Sequence, residues 1–172
     1  MLGLAKNSNR LVDHDPRWTD EFEAERTRLW TALSPWALAI EHYGSTAVPG
    51  LRAKPILDLL VAVQPLDRWA ECKEPLEGLG YDYAEKAGVP GHYIFGRGRL
   101  PSERTHLVHI VEFGSDEWRL NLAFRDALRT DPILRRRYEV EKERACADAP
   151  TSRAEYNALK HAFIEAAKQK MR

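Results

Sequence analysis

Asp58 is the only charge in the run Ile56-Leu57-Asp58-Leu59-Leu60-Val61-Ala62-Val63, whose leucine and β-branched content suits a strand buried on both faces. Burying an unpaired ionised carboxylate is costly, so Asp58 must meet a metal, a cation, hydrogen-bond donors or water at a strand end. Upstream, Gly44-Ser45-Thr46 follows an apolar run that ends in His42-Tyr43. Glycine admits backbone angles that other residues avoid, and Ser45 and Thr46 place hydroxyls at the bend, a combination suited to holding a phosphate. Two roles for Asp58 stand side by side: a catalytic carboxylate, or an acceptor of hydrogen bonds from the Gly44-Ser45-Thr46 turn itself.

The stretch Gly44-Ser45-Thr46-Ala47-Val48-Pro49-Gly50-Leu51, followed by Ala53-Lys54-Pro55-Ile56 and Asp58, resembles the GrpB family, also called UPF0157, whose members have a nucleotidyltransferase-like fold. Arg104-Thr105-His106 to Glu112, Trp118, Phe124-Arg125-Asp126, and Tyr156 with Lys160 and Phe163-Ile164 follow in the same order, so the resemblance covers nearly the whole chain. It implies an α/β (α+β) domain, a nucleotidyltransferase-like small mixed sheet flanked by helices, spanning residues 1–172 behind an irregular N-terminal tail at 1–11.

The activity implied is metal-dependent transfer of a nucleoside monophosphate from a triphosphate to an acceptor, a small molecule or a protein. Magnesium, which prefers oxygen ligands and keeps several waters, is the cofactor of that chemistry. Under the resemblance Gly44, Ser45 and Thr46 touch phosphate and Asp58 holds metal. Glu112 is the second ligand or the base that takes the acceptor's proton, and His109 is a further candidate base. Lys54 precedes the strand, while Arg125 and Lys160 match the family pattern as phosphate-binding cations. Tyr156 lies four positions before Lys160, so on one helix a stacking ring and a phosphate-binding ammonium share a face. The other assignment makes Tyr156 core and Lys160 an exposed solubilising residue.

One position departs from the superfamily pattern. Its working enzymes carry two acids separated by a single residue on the central strand, and here Leu60 takes the second place. Either Glu112 compensates with one metal, or the fold is reused without transfer chemistry. The second case is a nucleotide- or protein-binding domain with an assisting, chaperone-like role, as the resemblance to GrpB-like domains fused to dephospho-CoA kinase implies.

The remaining composition sets bounds. A chain of 172 residues suits one sizeable core. Lys and Arg number 26, as do Asp and Glu, so nothing global recommends nucleic acid or an anionic membrane as partner, and any anion site must be local. Cys72 and Cys146 lack the paired spacing of a zinc or redox motif. No segment approaches the roughly 20 apolar residues of a membrane span, and Met1 to Arg10 lacks the apolar core of a secretory signal. A soluble protein of the reducing cytoplasm is expected.

The elements that must position these residues follow from periodicity and caps. Asp15-Pro16 opens a helix carrying Trp18, Phe22, Leu29 and Leu33 on one side, ended by Ser34-Pro35. Strands are expected over Ala37 to Tyr43, Ile56 to Val63 and Thr105 to Phe113, in one sheet, with shorter strands at Tyr81 to Ala84 and His92 to Phe95 around a Gly-Pro-Gly containing loop. Pro65 and Asp67 open a helix that Gly80 stops, in which Pro75 makes a kink or begins a new turn. Alternation in Thr105 to Phe113 puts His106 and Glu112 on one face and His109 on the other. Gly96-Arg97-Gly98-Arg99 is either a hairpin turn or a weak phosphate cradle. Three C-terminal helices begin near Ser115, at Asp131-Pro132 and at Ser152, the last burying Tyr156, Leu159, Phe163 and Ala166.

Overall fold

A computed structural model describes residues 1–87 and 89–172. The elements in chain order are β1 (Leu4–Ala5), α1 (Arg17–Leu33), β2 (Ala39–Tyr43), β3 (Leu57–Val63), α2 (Trp69–Gly78), β4 (Asp82–Tyr83), β5 (Tyr93–Arg97), β6 (Glu103–Arg104), β7 (His106–Glu112), α3 (Asp116–Thr130), α4 (Pro132–Asp148) and α5 (Arg153–Gln169). The apolar run around Asp58 forms β3, and it lies inside a five-stranded sheet ordered β2-β3-β7-β5-β4. β3 and β7 pair in parallel, and the other pairings are antiparallel. The three expected long strands are therefore neighbours in one mixed sheet.

Period-two alternation divides the sheet into two unlike faces. Leu57, Leu59, Val61 and Val63 join Val108, Ile110, Ile40 and Phe95 against Trp18, Phe22, Leu29 and Leu33 of α1 and Cys72 and Leu76 of α2. This is the main core. The opposite face, which carries Asp58 and His109, lies under the C-terminal helices, where Phe124, Leu128, Tyr138 and Ala167 pack with Val48 and Leu51 in a second core.

Each C-terminal helix starts at a side-chain cap. Ser115 Oγ accepts from the Trp118 amide at 3.3 Å, Asp131 Oδ1 from Ile133 and Leu134 at 2.9 and 3.0 Å, and Ser152 Oγ from Glu155 at 3.2 Å. Such caps contribute about 0.5–2 kcal/mol each and fix where the helices begin above the sheet. Pro75 sits inside α2. Among the described residues, no helix is long and apolar enough to cross a membrane.

Two expectations are corrected. The N-terminal tail is not irregular throughout: Leu4–Ala5 form β1, which pairs with β6, and Leu2 and Leu4 are buried. In α5, Tyr156 is buried and Phe163 packs on the second core as expected, but Leu159 and Ala166 are exposed and Ala167 is buried instead, so the inward stripe leans to the side that carries Lys160. Gly96 to Arg99 takes the turn reading: a Cβ on Gly98 would run into the Glu103 carbonyl oxygen, and Arg99 is bound to Glu103. Of the loop before β5, Gly88 lies outside the described residues.

Candidate functional site

β2 ends at Tyr43, directly opposite Asp58 in the antiparallel register. There Gly44 turns the chain with φ +73°, and a Cβ on it would stand 2.6 Å from Asp58 Oδ2. Glycine thus meets two demands, a left-handed backbone and close approach to a carboxylate. One short turn follows, Ser45–Ala47. Thr46 Oγ1 meets His42 Nε2 at 2.9 Å, and His42 stacks on Phe22 with centroids 4.8 Å apart. Burial pushes the His42 imidazole down to about 4, so the ring is neutral at pH 7. Thr46 is therefore committed to holding the turn, and Ser45 lines the cleft above it.

Asp58 is 28% exposed into this cleft. Among the described residues it accepts no hydrogen bond from the turn, contrary to the structural role considered for it. His109 Nε2 stands 3.6 Å from Asp58 Oδ1, beyond hydrogen-bond length, and is buried without a partner. On its other side His109 Nδ1 lies 3.2 Å from His92 Nδ1, and His92 Nε2 lies 2.7 Å from Glu117 Oε2. Burial lowers the His92 pKa, while the hydrogen bond from His92 keeps Glu117 below the usual carboxylate range. The Tyr43 ring meets His109 edge-on at 5.2 Å.

Glu112 is removed from the site. β3 and β7 run parallel with Asp58 beside Leu107 and Val63 beside Glu112, so Glu112 lies five residues along the sheet, about 16 Å away. Alternation also turns it to the α1 and α2 face. The same alternation puts His109 on the Asp58 face, which is why one candidate base is in the cleft and the other is not.

The same cleft is also lined by cations, Lys54, Arg125, Arg153, Lys160 and Lys168 among them. Lys54 Nζ sits 3.9 Å and Lys160 Nζ 4.7 Å from the Tyr156 ring centroid. Tyr156 is only 1% exposed, so its ring is covered by these lysines and is not free to stack on a ligand. Burial, with Lys160 and Arg153 nearby, pushes Lys54 down to about 6. Burial opposes the charge on Lys160, yet the Tyr138, Tyr156 and Asp58 oxygens raise its pKa above the ordinary lysine value. Arg125 also lines the cleft, but its guanidinium is engaged at 2.8 Å by Glu41, by the His42 carbonyl and by Asp126. It ties α3 to β2. The cleft enclosed by these walls measures about 450 Å³, within the range of small-molecule sites.

The profile of the GrpB protein family matches residues 9–170. The chain belongs to the GrpB family. The crystal structure of conserved protein GrpB from Enterococcus faecalis is 34% identical, with a TM-score of 0.81 over 94% of this chain and 96% of that one. The glutamate-rich protein GrpB of Alkalihalophilus pseudofirmus is 32% identical over 96% of this chain and 97% of its own length. The UPF0157 protein YqkA of Bacillus subtilis is 32% identical over 95% of this chain, which spans 47% of that protein. Against Cid1 in complex with ApU the TM-score is 0.45 at 18% identity over 76% of this chain and 40% of that one, a likeness too loose to argue from.

In this GrpB chain the donors do not fit a magnesium centre. Asp58 is a single carboxylate, Leu60 holds the place of a second acid, and Glu112 is on the other face. Among the described residues no group of three or more His, Cys, Asp or Glu side chains converges to hold a metal. The second donor beside Asp58 is an imidazole nitrogen, which magnesium does not favour. His92, Glu117 and Arg153 line the cleft too and carried no signal in the sequence, because the pairings that bring them there are long-range.

Proposed function

We propose that this cleft binds a phosphate-bearing small molecule of the nucleotide class, with lysine ammonium groups neutralising its charge. The observation that carries this reading is the convergence of Lys54 and Lys160 on the buried Tyr156 ring, in the cleft that Ser45 also lines. Among the described residues neither lysine has a carboxylate partner. Burial first, and the nearby charges of Lys160 and Arg153 second, push the Lys54 pKa down to about 6. A phosphate entering between the two lysines supplies the missing counter-charge and restores the proton. Ser45, which lines the same cleft, contributes a hydroxyl.

The finer reading is metal-dependent transfer of a nucleoside monophosphate to a small-molecule or protein acceptor. It needs carboxylates that Asp58 alone does not supply, so binding without transfer is the better-supported reading. A stretch of 85 residues of this chain is 40% identical to part of the dephospho-CoA kinase of Mycobacterium tuberculosis, in keeping with an assisting role for such a domain.

Calorimetric titration with a nucleoside and its mono-, di- and triphosphates, in metal-free buffer, tests the proposal. Affinity is expected to rise with phosphate count, to weaken with salt, and to fall at least tenfold in Lys160→Met. Equal binding of nucleoside and triphosphate, or no binding of either, would remove the phosphate site.

A further inference from the structure

Charge is unevenly matched along the cleft. Of the cations that line it, Arg125 is held by Glu41 and Asp126, and Lys168 lies 3.8 Å from Glu165. Among the described residues Lys54, Arg153 and Lys160 form no ion pair, and Asp58 is the cleft carboxylate whose charge reaches all three. Arg153, Tyr156 and Lys160 share a face of α5 at the spacing of successive turns. Arg153 Nε is buried without a partner. Its Nη2 donates to the Ala5 carbonyl at 3.2 Å, which leaves most of the donors of the guanidinium unspent.

Lys54 is anchored to the same helix start. Asn9, only 6% exposed, donates from Nδ2 to the Ala149 and Ser152 carbonyls at 2.7 and 2.9 Å. The two bonds fix the amide so that Oδ1 faces Lys54 Nζ at 3.4 Å, while the Tyr156 ring covers the ammonium from another side. The N-terminal segment thus holds Lys54 and the first turn of α5 as one unit.

We propose that the ligand's terminal phosphate is seated between Lys54, Arg153 and Lys160, and that this end of the cleft selects a phosphate monoester over a diester. Resting on the phosphate reading above, this adds Arg153 as a third binding cation and a preference that follows from charge balance. While Lys54 is neutral, the charges of Arg153 and Lys160 against Asp58 leave a single positive excess, and protonating Lys54 doubles it. A diester carries one negative charge and balances only the first state. A monoester, whose second proton leaves near pH 6, carries about two at pH 7.5 and balances the second state, drawing a proton onto Lys54. Lys54 is faced by Asp58 of β3, Cys146 of α4, and Arg153, Tyr156 and Lys160 of α5. The Cys146 thiol, the Tyr156 hydroxyl and the Lys160 ammonium all have pKa values above their ordinary ones, so none of them competes for that proton. Lys142 bonds the Arg52 carbonyl and does not line the cleft.

The test is calorimetric titration of the full chain at pH 7.5 with the nucleoside monophosphates, the cyclic nucleoside monophosphates and the parent nucleosides of the four common bases, in buffers of different ionisation enthalpy. A monophosphate and its cyclic form share base, sugar and phosphorus, so the comparison isolates the ester. The monoester is expected to bind about tenfold or more tighter than the cyclic diester and to take up about one proton, the diester to take up none. Arg153→Gln, shown to be folded by its unfolding midpoint, is expected to weaken the monoester about tenfold or more and to narrow its advantage over the diester. Equal affinity for the two esters, monoester binding without proton uptake, or an undiminished preference in Arg153→Gln overturns the terminal-phosphate site and leaves the broader phosphate reading standing. Binding of no monophosphate, cyclic or open, overturns both.

Discussion

Gly44 presses its bare Cα against Asp58, so that a Cβ there would stand 2.6 Å from the Oδ2 atom. The turn that carries Ser45 and the strand that carries Asp58 are in this way one unit. Gly44→Ala is expected to cost about 1–2 kcal/mol for the left-handed backbone and more for the displaced carboxylate. Gly50 is the control: its φ is +76°, and a Cβ there meets nothing within 4 Å. Urea unfolding should show the Gly44 variant less stable than Gly50→Ala, and equal costs would mean that the contact with Asp58 is not tight.

Among the described residues Asp58 makes no hydrogen bond that the fold depends on. Asp58→Asn is therefore expected to leave metal-free stability within about 0.5 kcal/mol of the wild type or to raise it. A loss of about 1.5–3 kcal/mol would show instead that the carboxylate accepts charge-assisted hydrogen bonds. Paired urea curves on wild type and variant distinguish the two.

His42 and His106 are both buried, and burial pushes each down to about 4. An unfolded histidine binds its proton near pH 6.5, so across this window the unfolded state holds more protons than the folded one. Stability is expected to be full above about pH 6.5 and to fall as pH drops towards 4, by on the order of 2–3 kcal/mol per histidine. Unfolding midpoints at half-unit steps between pH 4 and 7 check this. His42→Gln should flatten the profile, and an unchanged profile would place the titration elsewhere.

Lys54 has the opposite relation to its ligand. Its pKa lies at about 6 in the free protein, so at pH 7.5 it is largely neutral, and a bound phosphate favours the ammonium form. Binding of a nucleoside triphosphate is expected to take up as much as about one proton. Calorimetry in buffers of different ionisation enthalpy measures the uptake. Lys54→Met should abolish it, and zero uptake by the wild type would contradict a phosphate seated against Lys54.

What the sequence made legible was local. A lone Asp in an apolar strand and a glycine-hydroxyl turn signal chemistry without knowledge of their neighbours, and both lie where expected, as does the capping that starts each C-terminal helix. Glu112 failed because its assignment needed the β3–β7 register, which sets Asp58 beside Leu107 and is decided by pairing between segments far apart in the chain. The face of α5 was misplaced because apolar periodicity counts Leu159 and Ala166 but gives no weight to a lysine whose stem and ammonium pack on an aromatic ring. His92 and Glu117 matter only through His109, across a sheet pairing and a helix that no local pattern connects.

Thermal unfolding of the wild type and of a Lys54→Met, Lys160→Met variant, each with and without a nucleoside triphosphate, tests the binding of phosphate by the cleft most directly. With ligand at a hundred times its dissociation constant the wild type is expected to gain about 2.7 kcal/mol, the variant little, and the parent nucleoside should stabilise neither. No gain with any triphosphate, or the same gain in both proteins, would contradict a cleft whose lysines neutralise phosphate.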